Sequence, residues 1–311
     1  MSNVAVVFPG QGSQRLGMGL DFAEKYRESR QVFERAAQAL PFDVVAPILE
    51  DETRLNLTEF TQPCILAAEI AMLDALKAHF GFDPDYFGGH SLGEYTALVA
   101  AGAMPLETAL QLVHLRGQLM QKAVPAGAGS MAALIWDRLP GADVRRLVEG
   151  ENVDVANDNS PSQVVLSGDK GALERVIVAL KPYVDQGMRV VTLTVSAPFH
   201  SRHMAVVEPE FRGALELVKR DLDAAKAARV TSNYSGGFHT GSADDLIDRL
   251  TRQIGGTVRW RDNMAALASV SEKIVEVGPN RPLRGFFSAI GVSISAVTDV
   301  RSAGKLAQEV A

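Results

Sequence analysis

The segment that most restricts the fold is Gly89-His90-Ser91-Leu92-Gly93, a G-x-S-x-G between an expected strand over 85–88 and a helix of small and apolar residues over 94–103. A strand that turns through glycines straight into a helix leaves the middle serine exposed at the strand's carboxyl end. The helix that follows aims N–H groups and the positive end of its dipole at charge developing beside that hydroxyl. Short apolar runs over 4–8 and 273–277 read as further buried strands, the first of parallel type. The first run ends in Pro9-Gly10-Gln11-Gly12-Ser13-Gln14, a loop rich in turn formers.

Helical patterns cover 63–80, with Pro63 expected at the start, and 106–123, with Leu110, Val113 and Leu119 on the inner face. The middle of the chain has a different order. Strands over 130–135, 153–157, 163–167 and 188–195 alternate with helices over 143–150 and 171–181, which is the βαββαβ pattern of a ferredoxin-like unit. It begins after a glycine-rich hinge over 125–129 and ends near 196–198. Helices over 206–222, 244–253 and 260–268 restore the first character. The expectation is an α/β fold: a catalytic domain of residues 1–126 and 198–311 carrying an inserted subdomain over 127–197.

A length of 311 residues with 47% hydrophobic and 22% charged residues suits such a body. The net charge of −6 argues against a general nucleic-acid binder, which needs a surplus of Lys and Arg. The single cysteine, Cys64, cannot form an internal disulfide and falls in an apolar helix, so it reads as core. No signal-like segment and no apolar run near the ~18 residues of a membrane span is found. Cytoplasmic residence and no membrane partner are therefore expected. No Cys/His cluster has metal-ligand spacing, and no metal or cofactor is expected.

A serine hydroxyl needs a base to become a nucleophile. Of six histidines, His79 and His114 fall in expected helices, where a packed or surface role is the plainer account. His90 adjoins Ser91 at a tight turn and reads as a supporting residue, and His239 lies in a loop beside two glycines. His200, on a loop after a strand, ranks first as the base, with His203 second. Arg116 lies on an apolar helix between Leu112, Val113, Leu115, Leu119 and Met120. A guanidinium buried there wants a planar carboxylate, which no sequence neighbour supplies and a substrate could. The Gly10-Gln11-Gly12 loop is no dinucleotide fingerprint, because Arg15 stands where a third glycine belongs. Its N–H groups suit an oxyanion hole.

FPGQGSQ (8–14), GHSLGEY (89–95), LRGQLMQ (115–121), NSPSQVVLSG (159–168), SAPFHSRHM (196–204), RQIGGTVRW (252–260) and EVGP (276–279) together carry a family resemblance. Across nearly its whole length the chain resembles the malonyl-CoA:acyl carrier protein transacylases of fatty-acid synthesis and the related acyltransferases of polyketide synthases. The resemblance implies an α/β-hydrolase-like domain with a ferredoxin-like insertion. It implies Ser91 as the acylated nucleophile, His200 as its base and the N–H groups of Gln11 and Leu92 as the oxyanion hole. Arg116 would grip the malonate carboxylate, and the main-chain carbonyl of Gln253 would orient the histidine. Met120, Asn159 and Phe199 are read as further substrate-binding positions. Malonyl-CoA and an acyl carrier protein, free-standing or within a polyketide synthase, are the implied partners.

Gly255-Gly256 replaces a bulkier pair often seen after the matched Gln253, so a looser loop is expected there. Phe199 matches malonyl-selective polyketide domains and should crowd an α-methyl branch. The competing readings are a hydrolase of the same fold that clears acyl groups from carrier proteins, which needs no Arg116, and a non-catalytic docking module. An acidic carrier calls for a basic rim, for which Lys181, Arg189, Arg202, Arg281 and Arg284 are candidates.

Overall fold

The computed structural model describes residues 3–125, 127–137, 141–195 and 197–310. Two four-stranded sheets organise them. The first has the order β2-β1-β7-β8, from strands Val4–Phe8 (β1), Tyr86–Gly89 (β2), Lys273–Val277 (β7) and Ser295–Val297 (β8). All its pairings are parallel, with Ala5 opposite Tyr86 and Ile274, and Val275 opposite Ser295. The central strand β1 is buried on both faces, and the period of two divides its side chains. Val6 and Phe8 enter the larger core, while Ala5 and Val7 enter a smaller one with Trp260, Leu267 and Phe287.

The second sheet has the order β4-β5-β3-β6, from Gly129–Ile135 (β3), Val153–Ser160 (β4), Gln163–Asp169 (β5) and Arg189–Thr192 (β6). Every pairing is antiparallel, and two helices cross it, Gly141–Val148 and Lys170–Ala179. One face, with Leu134 and Leu166, packs on those helices through Val144, Val148, Leu173 and Val176. The other face turns Met131, Ala133 and Val165 into the larger core, so the two sheets share buried surface. The expected α/β fold with a separate βαββαβ unit is present. Ala126 of the expected hinge and Ser196 at the expected return lie outside the described residues.

Four helices position the chemistry: Thr58–Phe80 (α1), Gly93–Ala100 (α2), Leu106–Lys122 (α3) and Ala243–Arg252 (α4). The first corrects an expectation, because it starts at Thr58 and holds Pro63 in its interior. Proline cannot donate to the carbonyl four residues back, which strands the Glu59 oxygen. His114 on α3 donates Nδ1–H to that oxygen at 2.9 Å, so the helix tolerates the proline. The helix expected over 206–222 is broken. It forms a 3₁₀ turn at Arg202–Val207, a helix at Glu208–Leu217 and another 3₁₀ turn at Lys219–Asp221. Cys64 is fully buried, and burial pushes its thiol up to about 12. Among the described residues no helix is long and apolar enough to cross a membrane.

Candidate active site

β2 delivers the chain to Ser91 and α2 leaves from Gly93. The turn needs a bare α-carbon at Gly93, where a Cβ would come within 2.2 Å of the Phe8 carbonyl oxygen. On the other side, Gly10 packs so closely that a Cβ there would meet the His90 carbonyl oxygen at 2.4 Å. The Pro9–Gln14 loop is thereby pressed against the elbow. Asn233 fastens the turn from a third segment. Its Oδ1 accepts the Ser91 N–H at 2.6 Å, while its Nδ2 donates to the Gly89 carbonyl and to Asn263 Oδ1, each at 2.8 Å.

Ser91 Oγ lies 2.7 Å from His200 Nε2, and His200 Nδ1 lies 2.9 Å from the Gln253 carbonyl oxygen. A carbonyl only accepts, so Nδ1 carries the proton and Nε2 offers its lone pair to the serine hydroxyl. His200 is 4% exposed. Burial, reinforced by the positive charge of Arg116, pushes its pKa down to about 3, which keeps the imidazole neutral and able to take a proton. His203, the second-ranked histidine, sits on the following 3₁₀ turn, where its buried Nε2 has no partner among the described residues.

Arg116 projects from α3 into the same cluster and is 1% exposed. Its Nη2 donates to Ser91 Oγ at 3.1 Å and to Gln253 Oε1 at 2.9 Å, and its Nη1 donates to Gln62 Oε1 at 2.9 Å. The guanidinium carbon stands 5.5 Å from the centre of the Tyr95 ring. No carboxylate touches it among the described residues, and its buried Nε has no acceptor. Burial lowers its pKa from the usual arginine value, with Tyr95 and Glu94 acting against that shift. A neutral base beside a hydroxyl, with an unpaired cation in contact with both groups' neighbours, can deprotonate the serine and hold an acyl group that ends in an anion.

Residues 5–306 match the family model described as "Acyl transferase domain". The chain is 37% identical over 300 residues to the malonyl CoA-acyl carrier protein transacylase of Escherichia coli O157:H7, covering 95% of each chain. It is 39% identical over 283 residues to the protein of that name from Synechocystis, covering 90% of this chain and 91% of the relative. The chain belongs to the malonyl CoA-acyl carrier protein transacylase family. The crystal structure of the transacylase from Clostridium perfringens superposes with a TM-score of 0.91 at 33% identity, covering 99% of this chain and 97% of that one. A malonyl-transacylase solved in complex with its type II PKS acyl-carrier protein gives 0.91 at 35% identity, covering 99% and 100%.

Within this transacylase fold the remaining expected positions fall out as follows. The N–H groups of Gln11 and Leu92 have no acceptor among the described residues. Asn159 is buried, but both ends of its amide are engaged, Oδ1 with His90 Nε2 at 2.7 Å and Nδ2 with Gln163 Oε1 at 2.8 Å. Met120, one turn along α3 from Arg116, and Phe199, next to His200, are buried in the larger core. Gly255 and Gly256 are not slack: a Cβ on Gly256 would lie 2.7 Å from the Arg252 carbonyl oxygen and 3.0 Å from the Tyr234 ring. Two of the five rim cations are already paired, Arg202 with Asp154 at 2.7 Å and Lys181 with Asp185 at 3.1 Å.

Sequence reasoning missed Gln62, Glu94, Asn233 and His239. His239, which reads as a loop residue, is buried with Nε2 3.0 Å from Glu94 Oε1. A signal for Glu94 existed: it is the single charged residue on a helix otherwise made of apolar and small groups, Tyr95 and Thr96 apart.

Proposed function

We propose that this chain transfers a malonyl group from malonyl-CoA to the phosphopantetheine thiol of an acyl carrier protein, by way of an ester on Ser91, for fatty-acid or polyketide synthesis in the cytoplasm. His200 Nε2 takes the Ser91 proton as the oxygen attacks the thioester carbonyl. The N–H groups of Gln11 and Leu92 receive the oxyanion. The C–S bond breaks, the coenzyme A thiolate recovers the proton from His200, and malonyl-serine remains. The carrier's thiol then gives its proton to His200 and its sulfur attacks the ester carbonyl; the C–O bond to Ser91 breaks, His200 returns the proton to Ser91 Oγ, and the new thioester leaves. The Gln253 carbonyl holds the imidazole where a triad would place a carboxylate. It does so without adding negative charge next to the base.

The observation that carries this reading is the contact between Arg116 and the Ser91–His200 pair. A cation buried beside the nucleophile, with a donor left over, calls for an acyl group bearing its own carboxylate. A hydrolase of acyl groups has no use for it. The reading also assigns Phe199 and Met120 to the wall of the acyl pocket, and Asn159 to that wall through His90. Two-substrate kinetics test the scheme. Parallel double-reciprocal lines for malonyl-CoA and carrier are expected from a covalent intermediate, whereas converging lines would overturn it.

A further inference from the structure

Glu94 stands three residues after Ser91 on α2 and is fully buried. It takes hydrogen bonds from Gln253 Nε2 at 2.7 Å and the Asn233 main-chain N–H at 2.9 Å, and its Oε1 stands 3.0 Å from His239 Nε2. An amide NH₂ and a main-chain N–H can only donate, so the Glu94 oxygen that faces them, Oε2, accepts from both. Arg116 carries the permanent positive charge of the site, and no hydrogen bond or ion pair joins it to Glu94 among the described residues. The Gln253 carboxamide lies between them. Its Nε2 donates to Glu94, and its Oε1 accepts Arg116 Nη2 at 2.9 Å.

That arrangement solves a chemical conflict. A carboxylate in direct contact with Arg116 would compete with a substrate carboxylate for the guanidinium edge. Placed one amide away, it supports the cation without a direct ion pair, and the Arg116 Nε keeps no acceptor among the described residues. It also sets the polarity of the amide. Glu94 Oε2 already accepts the Asn233 N–H, so Gln253 turns Nε2 toward it and Oε1 toward the arginine. The reverse flip would set NH₂ against guanidinium and oxygen against oxygen. The same Nε2 reaches the Ser91 carbonyl at 3.0 Å, and the Gln253 main-chain carbonyl takes His200 Nδ1. We infer that Glu94, braced by His239, is a positioning residue that fixes Arg116 for the substrate carboxylate through the Gln253 carboxamide. This rests on reading Arg116 as the malonyl anchor.

The experiment compares kcat/KM for malonyl-CoA and acetyl-CoA in the wild type, Glu94→Ala, Glu94→Gln and Gln253→Met, with a melting curve for each. Gln253→Met keeps the main-chain carbonyl on His200 and removes only the amide. The malonyl-over-acetyl preference should fall about tenfold or more in Glu94→Ala and Gln253→Met. Glu94→Gln, which still offers Gln253 an oxygen, should recover much of it. A preference unchanged in folded Glu94→Ala, or unchanged in Gln253→Met if Glu94→Ala does not fold, would overturn the assignment. Equal losses for both substrates would do the same, because they would signal general damage. A wild type without malonyl preference would instead defeat the anchoring role of Arg116.

Discussion

Ser91 and His200 are the only non-glycine residues with positive φ among the described residues, 52° and 54°, and their Oγ and Nε2 stand 2.7 Å apart. Left-handed backbone at a residue with a Cβ costs on the order of 1–2 kcal/mol. Both members of the hydrogen-bonded pair are thus held in strain by their surroundings, Ser91 by Asn233 and the packed glycines, His200 by the Gln253 carbonyl.

The strain at the elbow is measurable apart from the chemistry. Ser91→Gly and Ser91→Ala both remove the hydroxyl, and differ only in a Cβ at φ 52°. Glycine should therefore be the more stable of the two by about 1 kcal/mol in chemical denaturation. Equal stability, or an advantage for alanine, would show that the turn carries no such strain.

The pH profile follows from His200. In the proposed scheme its neutral form takes the Ser91 proton, and burial with Arg116 has pushed its pKa from 6.5 to about 3. The acid limb of kcat/KM should accordingly lie well below pH 6.5, where an ordinary histidine would already be protonated. In Arg116→Ala, assayed with acetyl-CoA, the limb should move up toward 6.5, since a cation that disfavours protonation is gone. The same shift acts on stability. The unfolded chain binds the His200 proton between 6.5 and 3 and the native one does not, so this contribution is lost as pH falls through that window. A wild-type acid limb at or above 6.5 would contradict the account.

Arg116→Ala should lower kcat/KM for malonyl-CoA by on the order of a hundredfold, the worth of a buried charge-assisted pair, while acetyl transfer changes far less. A similar loss with both substrates would remove the anchoring role.

Outside the site, the Pro63 gap in α1 predicts a stability effect at His114. Removing the imidazole leaves the Glu59 carbonyl without the His114 donor at a half-buried helix contact. His114→Ala should cost about 1 kcal/mol, the worth of a half-buried hydrogen bond, and Pro63→Ala should reduce that cost by restoring an N–H donor. The reduction would be read from a double-mutant cycle of melting curves.

What the sequence made legible was local. The elbow could be read because glycine spacing, a short apolar strand and a small-residue helix act within fifteen residues or so of one another. The βαββαβ order followed from period changes along a continuous stretch. The helix start at Thr58 was hidden because proline normally marks a first turn, and the donor that excuses Pro63 comes from α3, 55 residues away from Glu59. Glu94 meets Asn233 and His239 across 139 and 145 residues, and no local pattern encodes such a meeting. The Gln253 carbonyl is a main-chain group with no side-chain signature, so only family resemblance pointed to it. The three-residue strand β8 is too short to show a period at all.

The most direct test is intact-mass analysis after brief exposure to malonyl-CoA without carrier, followed by peptide mapping. One malonyl group should be found, on Ser91, absent from Ser91→Ala and discharged when a carrier thiol is added. A malonyl adduct of full yield in Ser91→Ala, or one mapped to another residue, would contradict the account.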